Sequence, residues 1–198
     1  KMEDYIEISS YTHHPFYSQF VLEVPDNWMW HSMYNLPMGE MMEVLDACIE
    51  AGHPVAWGTD VSEKGFSRQK AIAVIPEVVE KNTIGSDAEH WGKLSDAEKQ
   101  AMINNLEGPM KEKTITQQMR QEAYDNYQTT DDHGMVIVGT ATDQAGNPFY
   151  KVQNSWGENG PYKGFYYFSL PFFEYKTMDI MVHKSMVPKE IMKKIGLK

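Results

Sequence analysis

Apolar and polar residues alternate at Tyr5, Ile6, Glu7 and Ile8 and again from Phe20 to Val24. This pattern predicts two short strands bracketing the turn-rich stretch Thr12-His13-His14-Pro15. Between Asn35 and Gly52 the period lengthens: Met38, Met41, Met42, Leu45, Cys48 and Ile49 recur at steps of three and four, the signature of one helix face. Asn35 reads as its N-cap and Gly52-His53-Pro54 as its stop. Pro54 to Asp60 (PVAWGTD) reads as a buried strand, and Ser62 to Gly108 as a polar, weakly periodic surface excursion. Within it Ser95 and Glu98 form a capping box that starts a short helix running to about Leu106. A further helix fits Thr116 to Tyr127, with Ile115, Met119, Ala123 and Tyr127 on one stripe. After Asp132 the pattern is β: Gly134 to Thr142 and Phe149 to Ser155 flank the turn residues 143–148, and Gly164 to Leu170 and Met178 to His183 add strands. The fold class is α+β, an antiparallel sheet with one or two helices packed on it.

Charge narrows the function classes. The chain has 198 residues with 18 basic against 28 acidic side chains, a formal charge of −10. Attraction to phosphate backbones or anionic lipid rests on Lys and Arg, so neither nucleic acid nor a membrane surface is an expected partner. The longest uncharged runs fall far short of the roughly 20 apolar residues that span a bilayer. A single cysteine, Cys48, excludes an internal disulfide and any multi-cysteine metal site. The fourteen methionines read as core filler rather than as a copper or peptide surface. Lys1 is no translation start, so the sequence is expected to begin inside a longer chain, and it gives no compartment.

Few side chains offer chemistry. Cys48 lies near the C-terminal end of its helix on the stripe of Met41 and Leu45, a place for a buried apolar residue and not for a thiolate. His13 and His14 adjoin a proline; their side chains are expected to diverge and do not form an i, i+4 ligand pair. His31, His53, His90 and His183 have no acidic or histidine partner at metal spacing. No metal and no cofactor is expected. His133 is different. It opens a strand after Asp131-Asp132, and the strand that returns after the hairpin ends in Gln153-Asn154-Ser155-Trp156-Gly157. Adjacent antiparallel strands place the start of one beside the end of the other, so His133 and Asn154 can meet across the ladder.

This arrangement resembles the papain-like cysteine peptidases, in which a histidine heading one strand and the asparagine of an Asn-Ser-Trp-Gly motif complete a triad with cysteine. Taken alone, Asn-Ser-Trp-Gly also fits a turn with a buried tryptophan. The resemblance implies that His133 is the base that pairs with a thiolate and later protonates the leaving amine, and that Asn154 orients it. Trp156 is implied to shield that hydrogen bond from water. Asp132 and Gln153, flanking the pair in the motifs, are implied as supporting residues. PVAWGTDVSEKGFS (Pro54 to Ser67), LPMGEMMEVLDACIEAG (Leu36 to Gly52), NYQTTDDHGM (Asn126 to Met135) and VHKSMVPKEI (Val182 to Ile191) are similar to the aminopeptidase C and bleomycin hydrolase branch, which also carries a large insertion before the histidine, here about 62–113.

No glutamine followed by Cys-Trp occurs in this sequence, so the nucleophile and the oxyanion glutamine of that family have no counterpart here. The resemblance therefore implies the fold of the β-sheet lobe, residues 1–198, that acts on a peptide substrate with an N-terminal nucleophile lobe as its missing partner. The chain alone is expected to be inactive. The final Lys193 to Lys198 stretch lacks the family's cleft-blocking tail, so the resemblance does not extend to strict exopeptidase specificity or to its hexamer; a homo-oligomer is left open. Two other readings stand beside this one. A non-catalytic peptide-binding module descended from such a peptidase would carry Ser, Gly or Ala in place of the nucleophile. A metalloprotein using His13, His14 and nearby carboxylates would hold stoichiometric metal.

Overall fold

The computed structural model describes residues 1–77 and 94–197. Its strands are β1 (Tyr5–Ser9), β2 (Gln19–Val21), β3 (Ser32–Asn35), β4 (Val55–Thr59), β5 (Phe66–Ser67), β6 (Ile72–Ala73), β7 (His133–Thr142), β8 (Pro148–Gln153), β9 (Phe165–Ser169) and β10 (Thr177–His183). They join in one sheet in the order β2-β3-β1-β10-β4-β7-β8-β9-β6-β5. Pairing is antiparallel except at β1 with β3 and β6 with β9. The helices are α1 (Met38–Glu50), α2 (Asp96–Asn104), α3 (Gln117–Asp125), α4 (Leu170–Lys176) and α5 (Lys189–Lys194).

The main core lies between the sheet and α1, whose buried Met41, Val44, Leu45 and Cys48 form the stripe read from the sequence. Burial of each Leu- or Met-sized side chain there contributes roughly 1.5–3 kcal/mol. Trp57 of β4 packs edge-on against Phe168 of β9 at 4.9 Å and donates its indole N–H to Thr177 Oγ1 at 2.8 Å. These contacts fasten β4 and β9, which flank the β7–β8 hairpin, to the same core.

Several expectations are corrected. The N-cap of α1 is Pro37 rather than Asn35, and the Met38 N–H is capped from α3 by Gln117 Oε1 at 2.7 Å. The Asn35 side chain is buried and instead pins the 11–15 turn, accepting from Tyr11 N and donating to the Tyr11 and His14 carbonyls. His13 and His14 do not diverge: their rings lie 4.6 Å apart, and His13 stacks on Tyr124 at 5.2 Å. The stretch read as a surface excursion supplies β5 and β6 to the sheet, with Phe66, Ala73, Val74 and Ile75 buried. The stripe assigned to α3 does not reach its end, because Tyr127 is 84% exposed while Arg120 is 1% exposed. Arg120 is accommodated by donating to the Ser10 and Glu174 carbonyls and lying 4.6 Å from the Tyr11 ring.

Candidate active site

Strand β7 sits between β4 and β8, and its first residue, His133, pairs with Thr59. The hairpin register sets Val136 opposite Gln153, which carries the chain after β8 back toward the head of β7. Asn154 follows β8 and is only 5% exposed. Its backbone N–H donates to the Gly164 carbonyl at 3.0 Å. Gly164 has φ +88°, and a Cβ there would stand 2.5 Å from the Gly157 carbonyl oxygen, so the loop that anchors Asn154 closes only around a residue without a side chain.

His133 Nε2 lies 2.9 Å from Asn154 Oδ1. A carbonyl oxygen only accepts, so Nε2 carries the hydrogen, and in the neutral ring Nδ1 is the bare nitrogen. The Trp156 ring lies over the imidazole at 4.6 Å with a 36° tilt. It is held in turn by Phe66 at 6.1 Å and Tyr166 at 6.2 Å, both edge-on. The Arg68 guanidinium lies over the same indole, 4.2 Å from its centroid. Asn154 Nδ2 is buried without a hydrogen-bond partner among the described residues.

The residues before His133 tie β7 to β4. Asp132 Oδ1 accepts from Val61 N at 2.9 Å. Asp60, 1% exposed, accepts from Ser62 N at 2.7 Å and from Thr130 N at 2.9 Å. Lys176 Nζ donates to the Gln128 carbonyl at 2.6 Å and lies 3.3 Å from Glu63 and 3.8 Å from Asp60. Burial, with Asp60 as neighbour, raises the Asp132 carboxyl above its usual range. Gln153, by contrast, is exposed and makes no side-chain hydrogen bond among the described residues.

Beside the pair a groove of about 590 Å³ is lined by Gly58, Gly134, Asn154, Ser155, Asp179 and Met181, among others. Gly58 and Gly134 face each other in the ladder, and a Cβ on Gly58 would meet Asp179 Oδ1 at 2.4 Å. Burial and then the neighbouring Asp179 push Asp131 up to about 7. Asp179 rises to about 6 through burial and then the Glu7 carboxylate.

The other candidates take no part. Cys48 is buried, and burial pushes its thiol up to about 11, far from a thiolate at neutral pH. His31 pairs with Glu7 at 3.1 Å, a partner that sequence spacing did not reveal. His90 lies outside the described residues. Among the described residues no group of three or more His, Cys, Asp or Glu side chains is placed to hold a metal ion, and no helix is long and apolar enough to cross a membrane. Arg68, Asp60 and Lys176 were not among the residues singled out from the sequence. Asp60 alone had a signal, as the polar end of a buried strand.

Comparison with known proteins follows the same lines. The model of the Peptidase C1-like family matches residues 85–197. Aminopeptidase W of Lactobacillus delbrueckii subsp. lactis is 37% identical over 60 residues, which cover 30% of this chain and 14% of that protein. Aminopeptidase C of Streptococcus thermophilus is 25% identical over 158 residues, 79% of this chain and 29% of that protein. The crystal structure of PepW from Lactobacillus rhamnosis HN001 is similar with a TM-score of 0.67 and 21% identity, over 99% of this chain and 39% of that one. The chain thus spans well under half the length of these relatives.

Proposed function

Because this chain belongs to the Peptidase C1-like family and has the papain-like α+β fold, we propose that it is the sheet-bearing lobe of an aminopeptidase-type cysteine peptidase. In this reading His133 is the general base and acid, Asn154 orients it, and the nucleophilic cysteine and oxyanion glutamine come from protein outside these 198 residues. The observation that carries it is the His133 Nε2 to Asn154 Oδ1 hydrogen bond beneath the Trp156 ring.

The geometry suits the chemistry step by step. With Nε2–H engaged, Nδ1 is the nitrogen that takes a proton from a thiol. Asn154 Oδ1 accepts from Nε2–H whether the ring is neutral or charged, so the imidazole keeps its orientation through the whole proton cycle. A neutral orienter is sufficient because the thiolate balances the imidazolium. The indole face over the ring shields the hydrogen bond from water, and the low local dielectric strengthens it. Nδ1–H then protonates the leaving amine as the acyl-enzyme thioester forms, and Nδ1 afterwards activates the water that hydrolyses that ester.

The test is hydrolysis of N-terminally unblocked peptides by the longer protein that includes the nucleophile segment. Turnover is to be abolished by iodoacetamide and lowered by several orders of magnitude in His133→Ala, the usual cost of losing a triad member. A variant within tenfold of the parent enzyme removes His133 from the mechanism.

A further inference from the structure

A cation lies over the same indole as the imidazole, with no anionic partner among the described residues. Arg68 is exposed, directly follows β5, and makes no ion pair or side-chain hydrogen bond among the described residues, in a chain with 28 acidic side chains. Its guanidinium instead lies on the Trp156 ring at 4.2 Å. Held over the indole, the guanidinium keeps N–H donors that no described residue engages, and a guanidinium fork matches a carboxylate.

The backbone that carries Arg68 is set in advance. Ser67 Oγ donates to Asn104 Oδ1 at 2.5 Å and accepts from Lys70 N at 3.1 Å, while Gln100 Nε2 donates to the Phe66 carbonyl at 3.1 Å. His133 lies on the same indole at 4.6 Å, so guanidinium and imidazole are separated by no more than these two ring contacts laid end to end. A general acid sits next to the nitrogen it protonates, so the indole packed on it borders the departing half of the substrate, and Arg68 reaches that region from the same indole.

We propose that Arg68 is a specificity residue that recognises a carboxylate on the leaving side of the scissile bond, selecting peptides with an anionic group there. The proposal rests on the reading of His133 as general acid. The carboxylate is either an Asp or Glu side chain or the free C-terminus, both presenting the same chemistry to the fork.

The experiment is a titration of the ¹⁵N-labelled 198-residue chain, followed at the Trp156 indole N–H, with three tripeptides. Ala-Ala-Glu-amide carries only the side-chain carboxylate, Ala-Ala-Gln only the terminal one, and Ala-Ala-Gln-amide neither. At least one acid is expected to bind about fivefold more tightly than the uncharged peptide, the scale of an exposed charge-assisted contact. The acid that does so identifies the source. Arg68→Gln, verified as folded by its dispersed spectrum, is expected to abolish the ratio. Equal affinities for all three peptides, no shift of Trp156, or a ratio that survives in Arg68→Gln overturns the assignment. Binding is read without turnover, so the two readings fail separately. A ratio lost in Arg68→Gln beside an inactive longer protein removes the peptidase reading and leaves Arg68 as a carboxylate-binding residue only, and an active enzyme without any ratio removes Arg68 alone.

Discussion

Glu112 offers a quantitative test of how this fold tolerates a buried acid. Its Oε2 accepts from Ser169 Oγ at 2.5 Å and from Ile75 N at 2.6 Å, in a recess also lined by Val74, Phe149 and Tyr167. Burial dominates these two bonds and pushes the carboxyl from its ordinary 4.5 up to about 7. A tenfold change in acidity is equivalent to about 1.4 kcal/mol, so the ionised form costs the fold about 3 kcal/mol. The sign follows from proton binding. Below about pH 4.5 the group is neutral in folded and unfolded chains alike and imposes no penalty. Between there and about pH 7 only the folded chain holds the proton, so stability falls as pH rises, and the full penalty is present above that window. Glu112→Gln keeps an oxygen that accepts from both Ser169 and Ile75 but has no charge to desolvate. Asp131 and Asp179, raised to about 7 and about 6, add their own decline to parent and variant equally. Urea denaturation of both proteins at pH 4.5 and pH 8, at fixed ionic strength, isolates Glu112. The advantage of the variant is expected to grow by about 3 kcal/mol between the two pH values. A difference that stays constant, or that shrinks toward pH 8, refutes the reasoning.

Two further changes probe the supports of the site. Gly164→Ala forces a side chain onto a backbone at φ +88° and into the Gly157 carbonyl. A loss of about 3 kcal/mol is expected, read by calorimetry as a Tm drop of roughly 6–12 °C; an unchanged Tm contradicts the close approach. Lys176→Met strands the Asp60 carboxylate, 1% exposed, without its cation. Chemical denaturation should show about 3–5 kcal/mol of destabilisation, part of it recovered when Asp60→Asn is added; a neutral single variant would mean that Asp60 needs no counter-charge.

How much of this was legible in the sequence depended on the range of the interactions. The meeting of His133 and Asn154 was readable because a hairpin is local, and its ends come together from strand length and turn alone. Strands β5 and β6 were not, because two-residue strands have no period and owe their place to pairing with each other and with β9. The burial of Arg120 was not readable for a related reason: a polar residue on a helix predicts solvent, yet the carbonyls of Ser10 and Glu174, 110 and 54 positions away, hold it inside. Arg68 carried no motif and gained its meaning only when the 68 and 156 regions were seen on one indole.

Strand β10 lies between β1 and β4, so residues 177–183 separate two strands made more than a hundred positions earlier. During synthesis β1 can meet β3, but the sides of β1 and β4 that face β10 stay open until the ribosome has released this late segment. The β7–β8 hairpin, with contacts only tens of residues apart, can close well before that. Non-local pairing of this kind slows folding and leaves strand edges exposed in the interval. The histidine and asparagine therefore come together early, on a sheet whose other half is still waiting for its central strand.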